Sequence, residues 1–135
     1  MATTSTIAVE HLDGRVTQVY CHWDGYIAYN GRILQEYYPT LSLAEELVSY
    51  GSLSILGERI TPIGPHGFYD PPEPGTCVFH ARDRGEELII REYRDYDTYQ
   101  EEYDPQCFNY IFRNGRWYVD GEWLKKAIKK DSEDT

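Results

Sequence analysis

The chain has 135 residues and a mass of 15.8 kDa, and its 13 Lys and Arg against 23 Asp and Glu leave a net charge of −10 and a pI near 4.7. That length is one domain's worth, residues 1–135, able to bury roughly two-thirds of its unfolded surface without disulfides or metal. The 41% hydrophobic content excludes a wholly disordered acidic chain, and the charge argues against duplex nucleic acid or an anionic membrane as the main ligand.

The first segments, Thr4 to His11 and Arg15 to Trp23, are β-branched and aromatic and meet at Leu12-Asp13-Gly14, which predicts a β-hairpin. Ile27, Ile33, Leu34, Tyr37 and Tyr38 then recur at helical spacing around Asn30-Gly31, predicting a helix that is irregular at Gly31 and stopped by Pro39. Ser42-x-x-Glu45 reads as a capping box opening a second helix, with Leu43, Leu47, Val48 and Tyr50 inward and Gly51 as its stop. Residues 57–75 carry five of the seven prolines and read as one long loop, a candidate binding surface by position alone. Thr76 to Arg82 reads as a strand, Leu88 to Tyr93 as a short strand or helix start, and Tyr96 to Tyr103 as one or two helical turns. Gln106 to Arg113 and Arg116 to Val119 predict a second hairpin through Asn114-Gly115. Asp120 is placed as the cap of a closing helix from Gly121 to about Lys130, followed by a short acidic tail, residues 131–135.

Hairpins interleaved with helices, without βαβ alternation, predict an α+β domain: an antiparallel sheet of about five strands with helices on one face. Period-two alternation turns Ile7, Val9, Val19, Cys21, Trp23, Cys77, Phe79, Ala81, Phe108, Tyr110, Phe112, Trp117 and Val119 toward the helices. The other face then holds Tyr20, His22, His80, Arg82, Asn109, Arg113, Arg116 and Tyr118.

Chemistry-bearing motifs are few. Cys21-His22 and Cys77-x-x-His80 suggest a metal, but neighbours on a strand, like residues three apart, point to opposite faces, so neither pair closes on one ion. The odd cysteine count, Cys21, Cys77 and Cys107, fits reduced thiols in a cytosol. No Gly-rich phosphate loop or His-Glu-x-x-His occurs, and the reading expects neither cofactor nor catalysis. No apolar run reaches the roughly 18 residues of a membrane span, and the N-terminus lacks a secretory signal, which places the chain in a cytoplasm.

Charge is the more informative signal. Net charge is −5 over residues 1–82, −6 over 83–104 and +1 over 105–135. In the middle stretch Glu86, Glu87, Glu92, Asp95, Asp97, Glu101, Glu102 and Asp104 alternate with Tyr93, Tyr96, Tyr99 and Tyr103. Those tyrosines at helical spacing are either the packing stripe of a solvated helix or, with the acids, an anionic aromatic surface for a basic partner. A competing site gathers Tyr20, His22, His80, Arg82 and Arg84 around a small anion such as a nucleotide, with tyrosine stacking on a base.

Ser5 to Gly14, Gln18 to Tyr26 with Asn30-Gly31-x-Ile33-Leu34, and Cys77-Val78-Phe79-His80-Ala81-Arg82-Asp83-Arg84-Gly85-Glu86 resemble a family of small proteins encoded by bacteriophages and prophages. Tyr110-Ile111-Phe112 and Trp117-Tyr118-Val119 resemble its third block more weakly. The likeness covers most of the chain outside the Pro-rich loop and the Lys-rich C-terminal helix. It implies no reaction and no catalytic residues. It implies a source and a habit: small acidic phage proteins bind and block host machinery in the host cytoplasm, nucleases and defence complexes among it, some as DNA mimics. The expected partner is a host protein with a basic surface.

Overall fold

The computed structural model describes residues 3–61, 74–102 and 107–133. Its first strand, β1 (Ser5–Glu10), runs antiparallel to β2 (Val16–Cys21), with Ile7 opposite Val19, so the Asp13-Gly14 hairpin forms as expected. A π-helical turn (Ile27–Gly31) then leads into α1 (Arg32–Tyr37), and the irregularity falls at Gly31 as predicted. It arises because Asn30 turns inward: its amide donates to Ser5 Oγ at 3.2 Å, Cys21 Sγ at 3.4 Å and the Trp23 carbonyl at 3.3 Å. A side chain that ties three strand-end groups together distorts the regular helical ladder around it.

Helix α2 (Leu41–Ser49) is capped by Thr40, whose hydroxyl accepts the Leu43 N–H, and not by Ser42. The shift moves the buried stripe to Ala44, Leu47 and Val48 and leaves Leu43 37% exposed. A strand absent from the sequence reading follows, β3 (Leu53–Ile55), and the segment expected as a strand from Thr76 to Arg82 divides. Only β4 (Val78–Phe79) is extended; α3 (His80–Arg84) follows, closed by the left-handed Gly85 at φ 66°. The Phe79 N–H donates to Asp83 Oδ2 at 2.8 Å, which starts the turn one residue after the strand ends. Ala81 is therefore helical and half-buried, while Trp23, also assigned inward, is exposed.

Next come β5 (Arg91–Tyr93), α4 (Tyr96–Glu102), β6 (Phe108–Arg113) and β7 (Arg116–Val119). Asn114 and Gly115 both take positive φ, 53° and 79°, as a two-residue type I′ hairpin requires. Asp120 and Gly121 do the same at 47° and 87°, so they close another hairpin onto β8 (Glu122–Trp123) instead of capping a helix. Helix α5 (Leu124–Glu133) starts later than predicted and absorbs residues 131–133 of the expected tail. The core of the long 57–75 loop, and Asp104, lie outside the described residues.

The eight strands among the described residues join one sheet in the order β4-β3-β2-β1-β6-β7-β8, with β5 also beside β2. The chain is α+β, but the sheet is mixed rather than antiparallel: β1 is parallel to β6, with Ile7 beside Tyr110, and β2 is parallel to β3. Helices also cover both faces. Leu34, Ala44, Leu47, Val48, Leu124 and Ala127 pack on Ile7, Val9, Val19, Cys21, Phe79, Tyr110, Phe112, Trp117 and Val119. On the reverse face Tyr99, with Tyr96, packs on Ala8, Val16, Tyr93 and Ile111.

Three large aromatic side chains of the main core pair their polar groups with main-chain carbonyls, whereas the buried Asn30 Oδ1 has no hydrogen-bond partner among the described residues. Trp117 donates to the Tyr38 carbonyl at 2.7 Å, the Tyr38 hydroxyl to the Gly57 carbonyl at 2.8 Å, and the Tyr110 hydroxyl to the Gly25 carbonyl at 2.7 Å. Gly25 itself lies where a Cβ would come within 2.6 Å of the Thr4 main chain. Burial pushes the Cys21 thiol up to about 11 from 9.0, and likewise raises Tyr38, Cys77, Tyr99 and Tyr110. The folded state thus holds these protons more tightly than the unfolded chain, so the stability they contribute is complete below about pH 9 and declines as pH rises toward 11. Stability measured by urea unfolding is expected to fall across that window, with a shallower fall in Cys21→Ala; an identical slope in the variant would contradict the assignment to Cys21.

Candidate functional site

Helix α4 covers only part of the reverse sheet face. Beside it, Thr6, Gln18, Tyr20 and Ser52 form the floor of a pocket of about 190 Å³, with Ile89 and Arg91 on one side and Glu102 and Cys107 on the other. The floor is already hydrogen-bonded: Thr6 Oγ1 donates to Asn109 Oδ1 at 2.8 Å, Gln18 Oε1 accepts the Tyr93 hydroxyl at 3.0 Å, and Ser52 Oγ donates to the Ile89 carbonyl at 3.3 Å. Tyr20 is 38% exposed at its edge.

The acidic stretch resolves into two layers. Tyr99 is 4% exposed and Tyr96 half-buried, stacked at 5.9 Å, with the Arg113 guanidinium 3.6 Å above the Tyr96 ring. These two tyrosines are packing groups, as the solvated-helix reading has it. Asp95 is half-buried and accepts the Thr98 N–H at 2.8 Å, and the Thr98 bonds and nearby Arg94 hold its carboxyl below the usual carboxylate range. Glu86, Glu87, Glu92, Asp97, Glu101 and Glu102 are all exposed, and none forms an ion pair or side-chain hydrogen bond among the described residues. Other acids are engaged: Glu45 with His11, Asp83 with Arg82, Glu10 with Arg113.

Of the competing anion set, Tyr20 and His22 meet edge-on at 6.3 Å between ring centroids, and the other members have partners of their own or point to solvent. His22 sits edge-on to Trp23 at 4.7 Å, and His80 Nε2 meets Ser54 Oγ at 3.1 Å. Arg82 lies over Phe79 and Tyr50, forks onto Asp83 at 3.0 and 3.0 Å, and donates to the carbonyls of Ile60 at 2.6 Å and Cys77 at 3.2 Å. Its donors thus hold the start of α3 to the chain after β3. Arg84 is exposed in the last turn of α3. The thiols of Cys21 and Cys77 face the main core, where they meet Asn30 and Tyr38. No group of three metal-ligating side chains occurs among the described residues.

Two features escaped the sequence reading. Leu88 and Ile89 are 55% and 54% exposed directly after Glu86-Glu87, an apolar pair whose only sequence signal is its acidic flank. The second is a relay joining the first hairpin to α2: His11 Nδ1 lies 2.5 Å from Glu45 Oε2 and Nε2 lies 2.6 Å from Thr17 Oγ1. A carboxylate only accepts, so Nδ1 donates to it, while Nε2 accepts the Thr17 hydroxyl in the neutral ring and donates to it in the imidazolium. The order hydroxyl, imidazole, carboxylate is that of an activated nucleophile. Yet Thr17 is buried in a middle strand between Val9 and Glu92, and its neighbour across the ladder is another carboxylate, which opposes a developing anion. The relay acts as a brace.

Compared with models of known protein families, with curated proteins and with solved structures, the chain matches none.

The brace generates a direct check. In a double-mutant cycle, His11→Ala and Glu45→Ala are expected to couple by about 0.5–3 kcal/mol in unfolding free energy. Strictly additive effects would show that the contact does not join the hairpin to α2.

Proposed function

We propose that the protein works by binding rather than by chemistry: it docks an acidic surface onto a basic host protein or complex and blocks it. The observation that supports this most is the set of exposed carboxylates with no ion pair or side-chain hydrogen bond among the described residues, Glu86, Glu87, Glu92, Asp97, Glu101 and Glu102, carried on α4, β5 and the segment before it. Tyr99 and Tyr96 anchor α4 from beneath, so the carboxylates of that helix stand on a fixed frame, and a partner gains from charges it need not order.

Duplex nucleic acid would be repelled by this surface. No helix among the described residues is long and apolar enough to cross a membrane. The likeness to phage-encoded proteins supports a host defence factor as target and the host cytoplasm as the place of action. Carboxylates spaced along a rigid element stand in for phosphates, which suits a target whose natural ligand is DNA.

The test uses the partner captured from host lysate. Glu101→Lys with Glu102→Lys is expected to weaken binding at least about tenfold and to flatten its dependence on salt. Both positions are exposed on α4, so the fold should be retained, checked by an unchanged melting curve. Unaltered affinity and salt dependence would overturn the acidic-surface reading.

A further inference from the structure

The sheet has an edge that nothing covers among the described residues. β5 pairs with β2 alone, so the outer side of Arg91–Tyr93 has no strand beside it. Upstream, the main chain of Glu87, Leu88 and Ile90 makes no hydrogen bond among the described residues. The carbonyl of Ile89, by contrast, is held inward by the Ser52 N–H at 3.1 Å and the Ser52 hydroxyl at 3.3 Å. Main-chain groups alternate direction along an extended chain, so with Ile89 turned in, Leu88 and Ile90 turn out.

No residue from Glu86 to Tyr93 has positive φ, and Leu88 lies over Gly51, where a Cβ would come within 2.6 Å of its Cδ1. The segment is therefore seated rather than free, with its outer donors and acceptors presented to solvent. Such an edge is blunted by proline or a bulge, or by shortness and charge, as in the three residues of β5 with Arg91 and Glu92. It carries neither proline nor bulge, and next to the charged residues it exposes Leu88 and Ile89 at 55% and 54%.

We propose that the outer edge of residues 86–93 receives an extended, basic strand of the partner protein by main-chain pairing. Resting on the acidic-surface reading above, this assigns that surface its mode of recognition. Pairing satisfies the open groups of Leu88 and Ile90, apolar residues of the incoming strand cover Leu88 and Ile89, and its Lys or Arg residues meet Glu86, Glu87 and Glu92. Glu102, which lines a shallow recess with Arg91, Glu92 and Tyr93, adds a further carboxylate at the far end. The excess of acids, three against Arg91 alone over residues 86–93, disfavours a second copy relative to a basic strand, since an antiparallel copy centred on Ile89 sets Glu86 opposite Glu92.

The probe is a fluorescein-labelled peptide of repeating Lys-Lys-Val-Val, which sets both residue types on each face as Leu88 and Ile89 require, compared with the same peptide N-methylated at alternate residues, which keeps charge and side chains but removes donors. Fluorescence anisotropy at low salt is expected to show binding by the first peptide and at least about tenfold weaker binding by the second, with both weakened by salt. Leu88→Pro, at an exposed position whose N–H has no partner among the described residues, is expected to weaken the first peptide by a similar factor. Equal binding by the two peptides overturns strand addition while leaving the acidic surface standing. Binding indifferent to salt overturns the acidic surface. No binding by the first peptide, or a self-associated chain by sedimentation with the edge occupied, overturns the proposal outright.

Discussion

Strand Ser5–Glu10 is paired along both edges and buried on both faces, and the placement of every other element follows from that. One edge takes β2 antiparallel and the other takes β6 parallel, with Ile7 level with both Val19 and Tyr110. On one face Ile7 and Val9 enter the main helical core; on the other Ala8 lies under the tyrosine layer. A strand enclosed on four sides has no position for an unpaired charge, and its residues 5–9 are all buried. Its polar members are matched from afar, Ser5 by Asn30 and Thr6 by Asn109. Those bonds set where the π-helical turn and β6 must lie.

The proposed binding face follows from the reverse side of the same strand. Because Ala8 is small, Tyr99 can descend onto the sheet beside Val16 and Ile111. Once Tyr96 and Tyr99 face inward at helical spacing, Asp97 and Glu101 must face out. The high tyrosine content is thus divided between packing and exposure: Tyr38, Tyr93, Tyr99 and Tyr110 are buried, while Tyr20, Tyr26 and Tyr37 are exposed. What looked in the sequence like a single anionic aromatic surface is a carboxylate layer above an aromatic one.

Local signals were legible and distant ones were not. Asp13-Gly14 and Asn114-Gly115 each encode a turn in two residues, and both hairpins formed with them. The same signal at Asp120-Gly121 is ambiguous with a helix cap, since an Asp before a polar, Leu-containing run satisfies both patterns. The parallel pairing of β1 with β6 joins residues about a hundred positions apart and carries no local mark. Thr76 to Arg82 looked extended because its first four residues suit a strand; the carboxylate of Asp83, reaching back to the Phe79 N–H, and the left-handed Gly85 decide for a helical turn. The exposed carboxylates could be read from composition and spacing. The open edge beside them could not, because an unpaired strand is defined by what the rest of the chain fails to cover.

These two properties, a strand enclosed on every side and an edge left open, meet in one observable. Native-state amide hydrogen exchange followed residue by residue reports the opening free energy of each main-chain group. The amides of Ile7, Ala8 and Val9 should exchange only with global unfolding, and those of Glu87, Leu88 and Ile90 should exchange close to the unprotected rate. Protection at Leu88 and Ile90 comparable to that of β1 would contradict the account.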